Sequence, residues 1–148
     1  MRVADIMTEH PVTVQLNDTL RTAVEQMQTY NCRRLPVVNA DGSLVGIVTD
    51  RDTRLALQSP FVLHEKWEDE ALLDSVTVRE CMTSAPITVE PTTDISDAIN
   101  LMLVHRIGGL PVLRGETIVG IITSTDVMTA FVRYLRRSER LPVTVNGK

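Results

Sequence analysis

With 148 residues, 43% of them hydrophobic and 23% charged, the chain has the size and mixture of one globular domain and is too short for two independent enzyme domains. A formal charge of −4 excludes a generic DNA-binding surface, because attraction to phosphate supplies non-specific affinity, and 3% aromatic residues leave few platforms for stacking single-stranded bases. The first 15 residues lack the apolar run of a signal peptide, and no run approaches membrane-spanning length, so a cytoplasmic protein with no membrane contact is expected.

Read from the N-terminus, each element occurs twice. Met7-Thr8 recurs as Met82-Thr83, Pro11 as Pro86, Thr13-Val14 as Thr88-Val89, Ala23 as Ala98, Met27 as Met102 and Leu35-Pro36-Val37 as Leu110-Pro111-Val112, at a constant offset of 75 residues. Beyond residue 38 the offset becomes 74, and the lost residue falls where NADGS meets RGET. A tight turn tolerates such a change, and Asp41-Gly42 is a turn signal.

Within each copy, residues 3–7 predict a helical turn and 12–14 a brief strand after Pro11. Leu20, Ala23, Val24 and Met27, matched by Ile95, Ala98, Ile99 and Met102, have helical spacing. Asn17-Asp18-Thr19 and Thr92-Thr93-Asp94 supply N-cap chemistry just upstream. Residues 35–38 and 44–49 predict paired strands, as do 110–113 and 118–123, and a second helix starts near Asp50 or Ser124. The expected class is α+β, a β-α-β-β-α unit written twice.

This divides the chain into residues 1–58, a connection at 59–76, residues 77–136 and a basic-then-polar tail at 137–148. The acidic run within 65–70 reads as a solvated face, with Phe61, Leu63, Trp67, Leu72 and Leu73 turned toward the body or a second subunit. Cys32 and Cys81 have no CxxC partner, which predicts reduced, partly buried thiols. His10, His64 and His105 show no metal-ligand spacing, so no metal is expected, and Met7, Met27, Met82 and Met102 read as core fillers. Neither G-x-S-x-G nor G-x-x-x-x-G-K-[ST] occurs, leaving hydrolase and P-loop chemistry without a sequence handle.

The most specific local repeat is GIVTDRD at 46–52 and GIITSTD at 120–126. A threonine closing a strand, with an aspartate three residues on, sets a hydroxyl beside a carboxylate at a helix N-terminus. The two carboxylate oxygens suit the two adjacent hydroxyls of a ribose, at roughly 1.5 to 3 kcal/mol per sheltered charge-assisted bond. The same spacing is a capping box with Asp for Glu. Both readings stand. The preceding Gly46 or Gly120 admits a ligand or another strand close to the backbone.

The succession V-x-D-I-M-T, P-x-T-V, amphipathic helix, L-P-V-V, hairpin and G-I-V-T-x-x-D resembles the cystathionine-β-synthase (CBS) domain, and two copies resemble a stand-alone CBS pair, or Bateman module. The likeness runs over residues 3–57 and 78–131. It implies two motifs packed about a pseudo-twofold axis, with clefts for AMP, ADP, ATP, NAD or S-adenosylmethionine as regulatory ligands and no catalysis. By this resemblance Asp52 and Asp126 hold the ribose, with Thr49 and Thr123 beside them. The adenine edge meets backbone near Val12, Ile87, Val37 and Val112, whose side chains form apolar walls.

Arg33 and Arg34 occupy the family's phosphate position, and Arg51 lies inside the first T-x-x-D. The second copy has Gly108-Gly109 and Thr125 there, with His105 and Arg106 just upstream. Unequal sites follow, the stronger phosphate grip lying where Arg33 and Arg34 reach. Apolar positions on the last helix (Val127, Met128, Phe131 and Leu135) and the resemblance together predict a homodimer of four motifs that signals to a protein partner. The alternative is a structural pairing module without a physiological ligand.

Overall fold

The computed structural model describes residues 1–57 and 66–140. The expectations for Phe61, Leu63, the Trp67 side chain and the end of the tail lie outside the described residues.

The first repeat opens with a 3-10 turn at Val3–Asp5 and continues through β1 (Thr8–Glu9), β2 (Val14–Gln15), α1 (Leu20–Thr29), β3 (Arg34–Val38), β4 (Leu44–Thr49) and α2 (Asp50–Leu57). After α3 (Lys66–Ser75), the second repeat gives α4 (Val78–Cys81), β5 (Thr83–Ser84), α5 (Ile95–His105), β6 (Gly109–Arg114), β7 (Thr117–Thr123) and α6 (Ser124–Arg140). The α+β tandem repeat is therefore present. Two-residue strands β1 and β5 are additions to the expected elements, and the strand expected at 12–14 lies at Val14–Gln15.

Sequence chemistry accounts for the long helices. The Thr19 hydroxyl accepts from the Thr22 N–H at 3.3 Å and starts α1, whose Leu20, Ala23 and Met27 are buried on one face. Asp94 accepts from Ser96 N–H at 3.0 Å and starts α5, which buries Ala98 and Met102. The second hairpin is shorter by the one residue of the offset change, and its strands each run one residue further into the turn. β3 and β4 are joined through residues 39–43 and β6 and β7 through 115–116, with Gly42 at φ 85° and Gly115 at φ 63° in the left-handed region.

The sheets cross the repeat boundary. One runs β2-β3-β4-β5 and the other β1-β7-β6, so each repeat lends its two-residue strand to the other's sheet. A parallel bridge between Val89 and Val112 completes the second sheet as β2 and β3 complete the first. The opening turns are exchanged too. Val3 is fully buried with Val89, Ala98, Leu110, Val112 and Ile122, whereas Val78 is fully buried with Val14, Ala23, Leu35, Val37 and Val48. Each such side chain contributes about 1.5 to 3 kcal/mol by leaving water, so the exchange ties the two halves into one cooperative body.

The glycines before T-x-x-D serve this exchange. A Cβ on Gly46 would stand 2.5 Å from Met82 Sδ and 2.8 Å from the Thr83 carbonyl oxygen. Of the two neighbours that glycine admits, the structure places a strand of the other repeat there. The connecting helix α3 is held to α1 by Arg21, which pairs with Glu70 and Asp74, each at 2.6 Å, while Leu72 and Leu73 are half-buried.

Candidate functional site

Strands β4 and β7 each deliver a threonine to the start of a helix, and both capping boxes form. Asp52 accepts from Thr49 N–H at 2.9 Å, and the Thr49 hydroxyl accepts from Asp52 N–H at 3.2 Å. Asp126 and Thr123 repeat the pair at 2.9 and 3.3 Å. The remaining carboxylate oxygens then differ. Asp126 Oδ1 accepts the Thr8 hydroxyl at 3.0 Å, while Oδ2 also takes the Thr123 hydroxyl at 3.0 Å. Asp52 caps its helix through Oδ2. Among the described residues its Oδ1 accepts no hydrogen bond.

Asp52 lines a cleft of about 370 Å³ built from both repeats. Thr49, Asp50 and Arg51 come from the end of β4 and the start of α2. Opposite them lie Thr83, Ala85, Pro86 and Ile87 from the early segment of the second repeat, with Arg106, Ile107, Gly108 and Gly109 closing one end. Ala85 has φ 47°, in the left-handed region that an alanine rarely adopts, and the equivalent His10 has φ 50°. That backbone turn carries the chain from β5 into Pro86-Ile87 at the cleft.

Arg34 enters the same cleft from the start of β3. Its Nη1 donates to the Gly108 carbonyl at 2.9 Å, and its aliphatic stem lies on Gly109, where a Cβ would stand 2.6 Å from Cδ. A Cβ on Gly108 would stand 2.5 Å from Nη2. The two glycines are thus a seat for an arginine of the other repeat. Burial pushes this guanidinium below its ordinary pKa, with Asp50 opposing and Arg33 adding. Asp50 itself lies 3.6 Å from Arg54. A half-buried cation whose one side-chain hydrogen bond among the described residues is to a carbonyl suits an anion.

Of the candidate residues, Thr49, Asp52, Ile87, Arg34, Arg51 and Arg106 come together here. Thr123 and Asp126 face Thr8 at the equivalent place in the other half. Arg33 is exposed, with its carbonyl accepting Asp50 N–H at 2.8 Å, and His105 is exposed at the end of α5. Neither lines this cleft. Val37 and Val112 require a correction: their side chains are 0% exposed, each packed in a repeat core, and form no wall of a cleft. Strand alternation turned them inward. Val12 is half-buried against the first core.

Sequence reasoning missed Ala85, Ile107 and the use of Gly108-Gly109. The repeat offset held a usable signal, since Arg34 and Gly109 are equivalent positions and equivalent positions can touch only near the pseudo-twofold axis.

The CBS domain family profile matches residues 3–59 and 78–133. The chain belongs to the CBS domain family. A CBS domain-containing protein of Dictyostelium discoideum is 35% identical over 134 residues, 90% of this chain and 92% of that protein. The same CBS pair corresponds to between 22% and 40% of several longer relatives. Among solved structures, the CBS domain pair of protein MJ0100, in complex with 5′-methylthioadenosine and S-adenosyl-L-methionine, matches at a TM-score of 0.78 and 28% identity, covering 90% of this chain and 98% of that one. The CBS-pair protein CBSX2 of Arabidopsis thaliana, in complex with AMP, matches at 0.75 and 27% identity over 89% and 97%. Among the described residues of this CBS pair, no helix is long and apolar enough to cross a membrane, and no three His, Cys, Asp or Glu side chains gather as a metal site.

Proposed function

We propose that this CBS pair is a non-catalytic regulatory module that holds an adenosine-containing small molecule in the cleft at Asp52. The observation that carries the reading is the division of labour at that carboxylate, where Oδ2 caps α2 and Oδ1 remains to accept a ribose hydroxyl. Capping and sugar binding need not compete, because they use different oxygens. Ile87 supplies an apolar wall for the base, and Arg34, Arg51 and Arg106 supply positive charge for phosphate. Relatives of the same fold bind AMP, 5′-methylthioadenosine or S-adenosyl-L-methionine, which supports the adenosine class.

Both repeats build the cleft, so a ligand that prefers one spacing of the repeats shifts the whole body toward it and can inform a partner protein or second subunit. Thermal unfolding in the presence of AMP, ATP, NAD and S-adenosylmethionine tests the reading. A rise in the midpoint with at least one is expected, and no shift with any of the four contradicts it.

A second reading, a structural pairing module, draws on a different surface. Met1, Ile6, Ile95, Ile99, Val127, Phe131 and Tyr134 line an apolar hollow of about 230 Å³ beside α6. Phe131 is 57% exposed, and Met128 and Leu135 are exposed on the same helix. A second copy of the chain, related by a twofold axis, is the occupant we propose.

A further inference from the structure

We infer that each chain binds one adenosine phosphate, in the cleft at Asp52, and that the equivalent place at Asp126 is an internal lock that takes no ligand. The inference rests on the adenosine reading above and concerns how many ligands bind and which part of the ligand is selected.

The two halves of the fold are equivalent by position, so their differences can be compared residue against residue. At Asp126 both carboxylate oxygens are committed, one to the Thr8 hydroxyl at 3.0 Å and the other to Thr123. A ribose hydroxyl would have to share Oδ1 with the Thr8 hydroxyl or displace it, and displacement exchanges one hydrogen bond for another with little net gain. Thr83, the counterpart of Thr8, lines the other cleft, yet among the described residues it makes no bond to Asp52. Asp52 therefore offers a wholly uncommitted oxygen, and Asp126 does not.

The cations are unequal in the same sense. At the place around Asp126 the counterpart of Arg51 is Thr125 and that of Arg106 is Asn31. Arg34 has Gly109 as its counterpart and crosses the pseudo-twofold axis to lie upon it. Two arginines at this pair of positions would collide and repel. A glycine at one of them lets a single guanidinium pass, and that guanidinium serves the cleft at Asp52. In the half around Asp126, Arg33 is the cation left at the equivalent of Gly108, and it is exposed. Arg34, Arg51 and Arg106 thus line the cleft with Asp52, whose Oδ1 accepts no hydrogen bond among the described residues, while Asp50 lies 3.6 Å from Arg54.

Arg34 also ties the cleft to the start of α6. The Gly108 carbonyl that it holds accepts Ser124 N–H at 3.0 Å and the Ser124 hydroxyl at 3.2 Å, at the first residue of α6. A phosphate that draws Nη1 away removes a charge-assisted donor from the carbonyl that anchors α6.

Isothermal titration of the full chain with AMP and, separately, with adenosine tests this. The expected result is one AMP per chain, retained in Asp126→Asn and weakened at least about tenfold in Asp52→Asn, a substitution that keeps an acceptor for the cap. Arg34→Gln is expected to weaken AMP about tenfold or more and adenosine less than about twofold. Two AMP per chain, or one that is lost in Asp126→Asn and kept in Asp52→Asn, overturns the inference while the adenosine reading survives. AMP and adenosine binding equally, with Arg34→Gln without effect, overturns its phosphate half. If neither compound binds, the adenosine reading falls and the inference with it.

Discussion

Met7 Sδ lies 2.7 Å from the point where a Cβ on Gly120 would stand, across the seam at which the first repeat lends β1 to the second repeat's sheet. The Thr8 carbonyl oxygen is 3.0 Å from the same point. Gly120→Val must therefore push the borrowed strand away from β7. Overpacking of this kind costs about 1 to 3 kcal/mol, and Gly46→Val should cost at least as much because its contacts are closer. Chemical denaturation measures both. In the Met7→Ala background the cost of Gly120→Ala should fall below its cost alone, since part of the collision has been removed; equal costs would mean that the seam does not constrain this glycine.

Asp94 accepts the N–H and the hydroxyl of Ser96 at 3.0 and 2.7 Å, and these bonds, the hydroxyl first, hold its carboxyl below the ordinary value of 3.8. A depressed folded-state pKa contributes stability that is present above pH 3.8 and lost as pH falls through the folded value. Asp94→Ala should lower the unfolding midpoint at neutral pH. The difference from wild type should shrink below pH 3.8 and vanish once the wild-type carboxyl is protonated; a difference independent of pH contradicts the cap.

Arg21 joins α1 to α3 through Glu70 and Asp74, all of them exposed enough for solvent to screen the attraction. Arg21→Ala is expected to leave global stability almost unchanged and to speed amide hydrogen exchange in α3 alone. Equal acceleration throughout the chain would mean that α3 opens only with the whole body and that Arg21 supports global stability.

Phe131 and Tyr134 stack with centroids 6.3 Å apart on the face of α6 beside the apolar hollow. If a second copy covers that face, light scattering should report a dimer for the wild type and a monomer for Phe131→Asp, with the circular dichroism spectrum retained. A monomeric wild type contradicts the proposed pairing.

The paired hairpins, the amphipathic α1 and α5, and the caps at Thr19 and Asp94 were legible because periodicity and capping act over a few residues. The exchange of β1 and β5 was not. A two-residue strand has no period to read, and the partner of β1 lies more than 100 residues away, so Thr8 on Ile121 is decided by tertiary packing. Val37 and Val112 were misplaced at a cleft for a related reason: strand alternation fixes which side chains share a face, and only the packed helix decides which face is core. The role of Gly108-Gly109 looked like a missing pair of cations, and became a seat for Arg34 once the halves were brought together.

The central claim is that Asp52 Oδ1 grips a ribose hydroxyl, and it is tested most directly by comparing AMP with 2′,3′-dideoxy-AMP on the wild type and on Asp52→Asn. The account predicts that losing the hydroxyls weakens binding about tenfold or more in the wild type and little further in the variant, a coupling between sugar and carboxylate. Equal affinities of the wild type for the two nucleotides would contradict it.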